Sequence, residues 1–194
     1  MPKNIRIRRS VKNERGVLQI LKIAYPYQEK LNKLWQSIIF QDKYKYYNDS
    51  IFWSYKVSLS EDSWNTMQMV SVDKDDDIVG YLCAYIDRQC NKVSGIAAIN
   101  FYDLNITFSK DFYIFLSELF TKYMFNKIEW KVVVGNPAEK MYDKIVSKYG
   151  GNIIGVQHKS TILQDMTLCD EKFYELFRKD YLNSKSDKDD CKKC

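Results

Sequence analysis

The stretch Lys127 to Gly155, KIEWKVVVGNPAEKMYDKIVSKYGGNIIG, spells strand, helix and strand in unbroken succession. A chain that contains it has to build a sheet with a helix packed on one face. Ile128, Trp130, Val132 and Val134 alternate with Glu129, Lys131 and Val133, the period of a strand over Ile128 to Val134. Gly135 ends that strand, Asn136 offers an N-cap oxygen, Pro137 occupies the first helical position and Glu139 the third, where a capping-box carboxylate belongs. Along the helix Ala138, Met141, Tyr142, Ile145, Val146 and Tyr149 form one apolar stripe, and Gly150 and Gly151 stop it. Asn152 to Val156 then returns to an extended run.

With 194 residues, 45% of them hydrophobic and 15% aromatic, the chain can bury one substantial core, which predicts a single domain over residues 1–182. Only 7 Gly and 3 Pro exclude a disordered, collagen-like or loop-dominated scaffold. From residue 183 onward, the segment ending SKSDKDDCKKC has nothing to bury and reads as a flexible charged tail over 183–194. The formal charge of +5 suits an anionic ligand such as a nucleotide-bearing cofactor without requiring nucleic acid. No run is long and apolar enough for a membrane span, and MPKNIRIRRS lacks the apolar centre of a secretory signal, so a cytoplasmic location is expected. Five scattered cysteines, Cys83, Cys90, Cys169, Cys191 and Cys194, read as reduced thiols rather than a disulfide framework.

Elsewhere the patterns are plain enough to order the elements. Ile5 and Ile7 suggest a short edge strand, and Val17, Ile20, Leu21 and Ala24 a helix over Val11 to Tyr25. A second helix is predicted from Gln28 to Phe40, followed by an aromatic run from Tyr44 to Tyr55. Thr66 to Ile86 reads as a hairpin turning at Asp73 to Asp77, and its second strand, IVGYLCAYI, is apolar on both faces, as in a sheet interior. Val93 to Leu104 supplies another strand. Ser109 is the expected N-cap of a helix over Lys110 to Phe125, with Asn126 as its C-terminal cap. After the opening motif come a strand through His158 to Gln164 and a last helix from Asp170, with Phe173, Leu176, Phe177 and Tyr181 inward.

This order, with the Asn136, Ala138 and Tyr142 spacing after a Val-rich strand, resembles the GNAT superfamily of acyl-coenzyme A-dependent N-acyltransferases over roughly residues 4–165. The resemblance implies an α/β (α+β) domain whose mixed, mostly antiparallel central sheet is flanked by helices. It also implies that the fourth and fifth strands, Val93 to Leu104 and Ile128 to Val134, splay apart. Acetyl-coenzyme A is the implied co-substrate, its pantetheine lying in the splay like an added strand beside Tyr102 and Leu104 on one side and Asn136 on the other. Tyr142 matches the tyrosine that protonates the departing thiolate while an amine attacks the thioester directly. A phenol suits this role because it is protonated at neutral pH and close in basicity to the leaving sulfur. The pyrophosphate loop departs from the family pattern: LNITFSKDFYIF carries no glycine, although backbone N–H groups close best on phosphates where side chains are absent. Ser109 and Lys110, at the expected helix start, are the substitutes.

Each of these residues also has a structural reading. Tyr142 fits a core tyrosine, Asn136 a helix cap and Lys110 a solvated lysine. Asp103 and Asp87 are the candidate general bases. Asp73, Asp75 and Asp77 imitate the start of a calcium loop, but Ile78 and Ala84 stand where glycine and glutamate are needed. Cys191 and Cys194 lack a second pair of ligands, and His158 is the only histidine, so no metal site is expected. The expected partner is a small-molecule or peptide amine, with no membrane or nucleic acid, and a homodimer is allowed. The rival reading is an inactive interaction or regulatory module on the same fold that has lost coenzyme A binding.

Overall fold

Apolar residues on both faces of the central strands require a layer of helix on each side, and the chain supplies them. The computed structural model describes residues 11–12, 18–47, 57–61, 64–103 and 105–190. The strands are β1 (Val11–Lys12), β2 (Leu18–Ile23), β3 (Thr66–Val72), β4 (Ile78–Asp87), β5 (Lys92–Asn100), β6 (Lys127–Val133), β7 (Asn152–Ile162) and β8 (Leu168–Phe177). The helices are α1 (Gln28–Ile38), α2 (Ile106–Thr121), α3 (Glu139–Tyr149) and α4 (Arg178–Asp190). The strands form one sheet in the order β1-β2-β3-β4-β5-β6-β8-β7, antiparallel throughout except for the β5–β6 pair.

Alternation divides the core as the strand period demands. Met67, Met69, Leu82 and Ala84 face α2 and α3, where Phe112, Phe115, Leu116, Leu119 and Ile145 are buried. Val70, Val72, Tyr81 and Cys83 face α1, against Leu31, Trp35 and Ile39. Mixed and mostly antiparallel, with helices on both faces, the architecture is the one expected from the sequence.

Three expectations are corrected. The helix predicted over Val11 to Tyr25 is instead β1 and β2, because Ile20 to Ile23 pair with Met69 to Val72 along the open edge of β3. That ladder outweighs a helical spacing which β-branched isoleucines support only weakly. The helix predicted from Asp170 begins only at Arg178, since the preceding residues form β8, hydrogen-bonded to β6 on one side and β7 on the other. Tyr174 and Leu176, both buried, define its inward face. α4 then continues to Asp190. Finally, α2 starts a turn earlier than expected: Asn105, not Ser109, is its N-cap, accepting from the Phe108 N–H at 3.0 Å, and Lys122, not Asn126, is its C-cap. The expected strand at Ile5 and Ile7, the residues Phe52, Trp53 and Tyr55, and the Cys191 and Cys194 pair lie outside the described residues.

One buried carboxylate joins α2 to the sheet. Asp111 is fully buried, accepts from the Ser71 hydroxyl at 2.5 Å through Oδ2, and leaves Oδ1 without a partner among the described residues. Burial raises its pKa from 3.8 to about 6, with the Ser71 hydrogen bond opposing the rise. A carboxyl raised in the folded state contributes stability below its unfolded pKa and loses it as pH climbs through the folded value. Between 3.8 and about 6 that difference is worth about 3 kcal/mol. Asp111→Asn should therefore be more stable than the parent by about 1–3 kcal/mol at pH 8, with the advantage shrinking to nothing near pH 4. Urea melts at the two pH values would show it, and an equal difference at both would refute the assignment.

Candidate functional site

The sheet divides where β5 and β6 part. They pair at only two positions, Lys92 with Lys127 and Val93 with Ile128, after which β5 runs on to Asn100 beside β4 and β6 to Val133 beside β8. A register shift between Tyr85 and Ile86 of β4 lies opposite this vertex, and a bulge there adds the local twist that carries β5 away from β6. The splay expected between these two strands is present.

A cleft of about 1130 Å³ fills the divergence. Ser94 to Ala98 and Asn100 of β5 form one wall and Glu129 to Val133 of β6 the other. Phe108, Ser109 and Phe112 of α2, and Asn136, Met141 and Tyr142 at the start of α3, close its ends.

Tyr142 stands in this wall, 6% exposed, among the rings of Phe112 (6.3 Å between centroids), Trp130 (5.9 Å) and Tyr174 (5.9 Å). Trp130 and Tyr174 are themselves stacked at 5.4 Å. Burial pushes the Tyr142 hydroxyl up to about 12, so it keeps its proton over the whole physiological range. Among the described residues no hydrogen bond of the protein engages this hydroxyl, which leaves its proton available to whatever enters the cleft. By contrast the Tyr174 hydroxyl donates to Asp143 at 2.8 Å, and Asp143 also takes Lys172 at 2.7 Å, which holds its carboxyl below the usual range. Lys172 reaches Glu139 as well, so this network ties the first turn of α3 to β8 and fixes the helix that carries Tyr142.

Asn136 lines the cleft, but its side chain accepts from the Ala138 N–H at 2.9 Å in a turn that precedes the helix, whose N-cap is Ala138. Glu139 closes the turn from the other side by accepting from the Gly135 N–H at 3.0 Å. Ser109 also lines the cleft, and its hydroxyl donates to the Asn105 carbonyl within the helix. Lys110 is exposed in the first turns of α2. Tyr102 is half-exposed past the end of β5, its N–H on the Asn100 side chain, and Leu104 lies outside the described residues. The cleft thus gathers Tyr142, Asn136 and Ser109, whereas Tyr102 and Lys110 are not in its lining. Of the two carboxylates considered as bases, Asp103 lines the cleft and pairs with Lys43 at 3.6 Å. Asp87 caps the β4–β5 turn by accepting from the Cys90 N–H.

Three features were not read from the sequence. Glu171, 3% exposed, lines the cleft and binds Lys131 at 2.9 Å and Ser160 at 3.0 Å. Placing it required knowing that its segment is a strand beside β6. The carbonyls of Ala98 and Asn100, on the β5 wall, accept hydrogen bonds from the hydroxyls of Tyr47 (2.6 Å) and Tyr44 (3.1 Å). Both rings sit edge-on to Trp35 of α1, so the first part of the aromatic run is anchored in the core and reaches into the cleft. Third, Phe108 lies over Gly80, where any Cβ would collide with its ring, so an aromatic side chain occupies the first turn of α2. Among the described residues no helix is long and apolar enough to cross a membrane, and no cluster of three or more His, Cys, Asp or Glu is placed to hold a metal ion.

No family model and no curated protein matches the sequence. Solved structures do match the fold. The spermidine/spermine N-acetyltransferase SpeG from Vibrio cholerae superposes with a TM-score of 0.63 over 85% of this chain and 95% of its own, at 15% identity. A chimera of spermidine N-acetyltransferase SpeG from Vibrio cholerae and hSSAT gives 0.65 over 85% and 98%, at 17% identity.

Proposed function

We propose that this chain, which has the GNAT fold, is an N-acyltransferase that moves an acetyl group from acetyl-coenzyme A to a small amine. The observation that carries the proposal is the β5–β6 divergence, which opens a cleft onto a buried, protonated tyrosine with no protein partner among the described residues. An extended pantetheine arm fits between two strands that have stopped pairing, since both offer backbone groups along the gap. Asn136 and Ser109 stand at the ends of that gap, with Lys110 and Tyr102 on the adjoining surface where the diphosphate end would emerge. Acetyl-coenzyme A supplies the activated thioester. Tyr142 holds a proton at its hydroxyl for the departing sulfur. Asp103, Glu129 and Glu171 are the carboxylates in the cleft, each ion-paired with lysine, so the acceptor class, a small amine, is taken from the polyamines named for the structural neighbours. The Phe112, Trp130 and Tyr174 rings around Tyr142 exclude water from the reacting end.

A second reading has its own support: Tyr44 and Tyr47 already occupy two β5 carbonyls, and Phe108 stands where a glycine would let backbone amides approach a phosphate. On that reading the fold is kept as an interaction or regulatory module without coenzyme A. Titration calorimetry with acetyl-coenzyme A separates the two. Saturable one-to-one binding is expected, and no heat at millimolar ligand would overturn the enzyme and favour the module.

A further inference from the structure

Lys43 to Tyr47, shortly after α1, spans the cleft from one wall to the other, and Lys43, Tyr44, Tyr46 and Tyr47 all line it. On the β5 side the Tyr47 hydroxyl donates to the Ala98 carbonyl at 2.6 Å, the Tyr44 hydroxyl to the Asn100 carbonyl at 3.1 Å and the Lys43 ammonium to the Phe101 carbonyl at 3.4 Å. On the β6 side the Tyr46 hydroxyl lies 3.9 Å from the Cβ position of Gly135, in the turn that follows β6. Gln164, in the turn between β7 and β8, holds the segment from that same side: its amide donates to the Ile39 carbonyl at 3.3 Å and to the Tyr44 carbonyl at 3.1 Å. The segment is thus tied to both halves of the divided sheet.

The carbonyls it occupies are those that face the gap. Phe101, just past β5, gives its N–H to the Val79 carbonyl at 3.2 Å, so its backbone edge is turned toward the neighbouring strand β4. Along an antiparallel strand the backbone groups of successive residues point to alternate sides, and Ala98 and Asn100 therefore turn theirs toward β6. Past the vertex β6 has moved away from that edge. A ligand that enters the gap as an added strand needs those carbonyls for its own amide N–H groups. From this coincidence, and resting on the acetyl-coenzyme A reading above, we infer that Lys43 to Tyr47 is an autoinhibitory strap. Its two tyrosine hydroxyls fill the β5 positions that the pantetheine arm would use, and donor binding has to displace them.

Exchange of partners makes the strap removable. Hydrogen bonds to a carbonyl from a hydroxyl and from an amide are of similar net strength, so a ligand that brings amides can replace the hydroxyls, which then bond to water in the open cleft. Burial pushes the Tyr44 hydroxyl up to about 12, so it stays a donor over the physiological range and the bond yields to competition rather than to pH. Strapped molecules cannot take the arm, which lowers the apparent donor affinity by the fraction that is unstrapped.

Tyr44→Phe combined with Tyr47→Phe removes the two hydroxyls and keeps both rings edge-on to Trp35. In titration calorimetry of the full chain, the double variant should bind acetyl-coenzyme A about 10-fold or more tightly than the parent, with the far-UV circular dichroism unchanged. Gln164→Ala, outside the cleft lining, loosens the far attachment without touching β5 and should tighten binding by a smaller factor. In the parent, the Tyr44 and Tyr47 amides, which donate to the Gln41 and Tyr44 carbonyls, should exchange faster with acetyl-coenzyme A bound than without it. Slower exchange would make the segment a lid that closes on its ligand and would overturn the strap. Equal or weaker binding by the double variant would overturn it while leaving the enzyme reading intact, whereas no binding by either protein would remove both.

Discussion

Tyr142→Phe should lower kcat by about 10²- to 10⁴-fold while leaving acetyl-coenzyme A affinity and the melting temperature close to those of the parent. The substitution removes one oxygen and nothing else. Phenylalanine keeps the ring contacts with Phe112, Trp130 and Tyr174, and among the described residues no protein group loses a hydrogen bond when the hydroxyl goes. A fall in kcat without a fall in stability would therefore report the proton alone. Since burial pushes the hydroxyl up to about 12, its deprotonation should not limit the parent between pH 6 and 10, and any alkaline limb in that range belongs to another group. If the variant turns over like the parent, with acetyl-coenzyme A still bound, Tyr142 is a core residue and the chemistry lies elsewhere.

Gly80→Ala should cost about 1–3 kcal/mol, a large effect for the addition of one methyl group. The new Cβ would stand 2.0 Å from Cδ2 and 2.4 Å from Cε2 of Phe108, far inside contact distance. Relief requires the ring, and with it the first turn of α2, to move off β4. Because Phe108 and Ser109 share that turn and both line the cleft, ligand affinity should fall together with stability. A double-mutant cycle with Phe108→Ala checks the cause. If the collision is responsible, Gly80→Ala costs much less once the ring is gone, and an unchanged cost would mean that Gly80 is required for the strand itself.

What the sequence made legible follows from how local each signal is. The unit from Lys127 to Gly155 was readable because its strand, turn and helix each carry their own instructions within a few residues. The turn at Gly135 and the left-handed Gly150 at the end of α3 are where such instructions place them, although the helix proper begins at Glu139. β2 and β8 were misread because their apolar residues also fit a helical period, and only their neighbours in the sheet choose between the two. The site divides the same way. Tyr142 belongs to a local motif, whereas Glu171 enters the cleft from a strand that follows β6 in space but not in sequence. The tyrosines on the Ala98 and Asn100 carbonyls come from far upstream, and no spacing rule links them to β5.

The vertex of the splay has a mechanical consequence. With only two residue pairs joining β5 to β6, the sheet is two plates that share a short seam, and backbone hydrogen bonds contribute little to keeping them together. The joint is made instead by the aromatic layer above it, Phe112 from α2 against Tyr142 from α3, with Tyr142 resting on Trp130 and Tyr174. Those rings also wall the cleft. Side chains that face a ligand thus also belong to the buried layer that couples the two plates. Trimming a ring to enlarge the site would loosen the coupling between the plates before it changed what the site accepts.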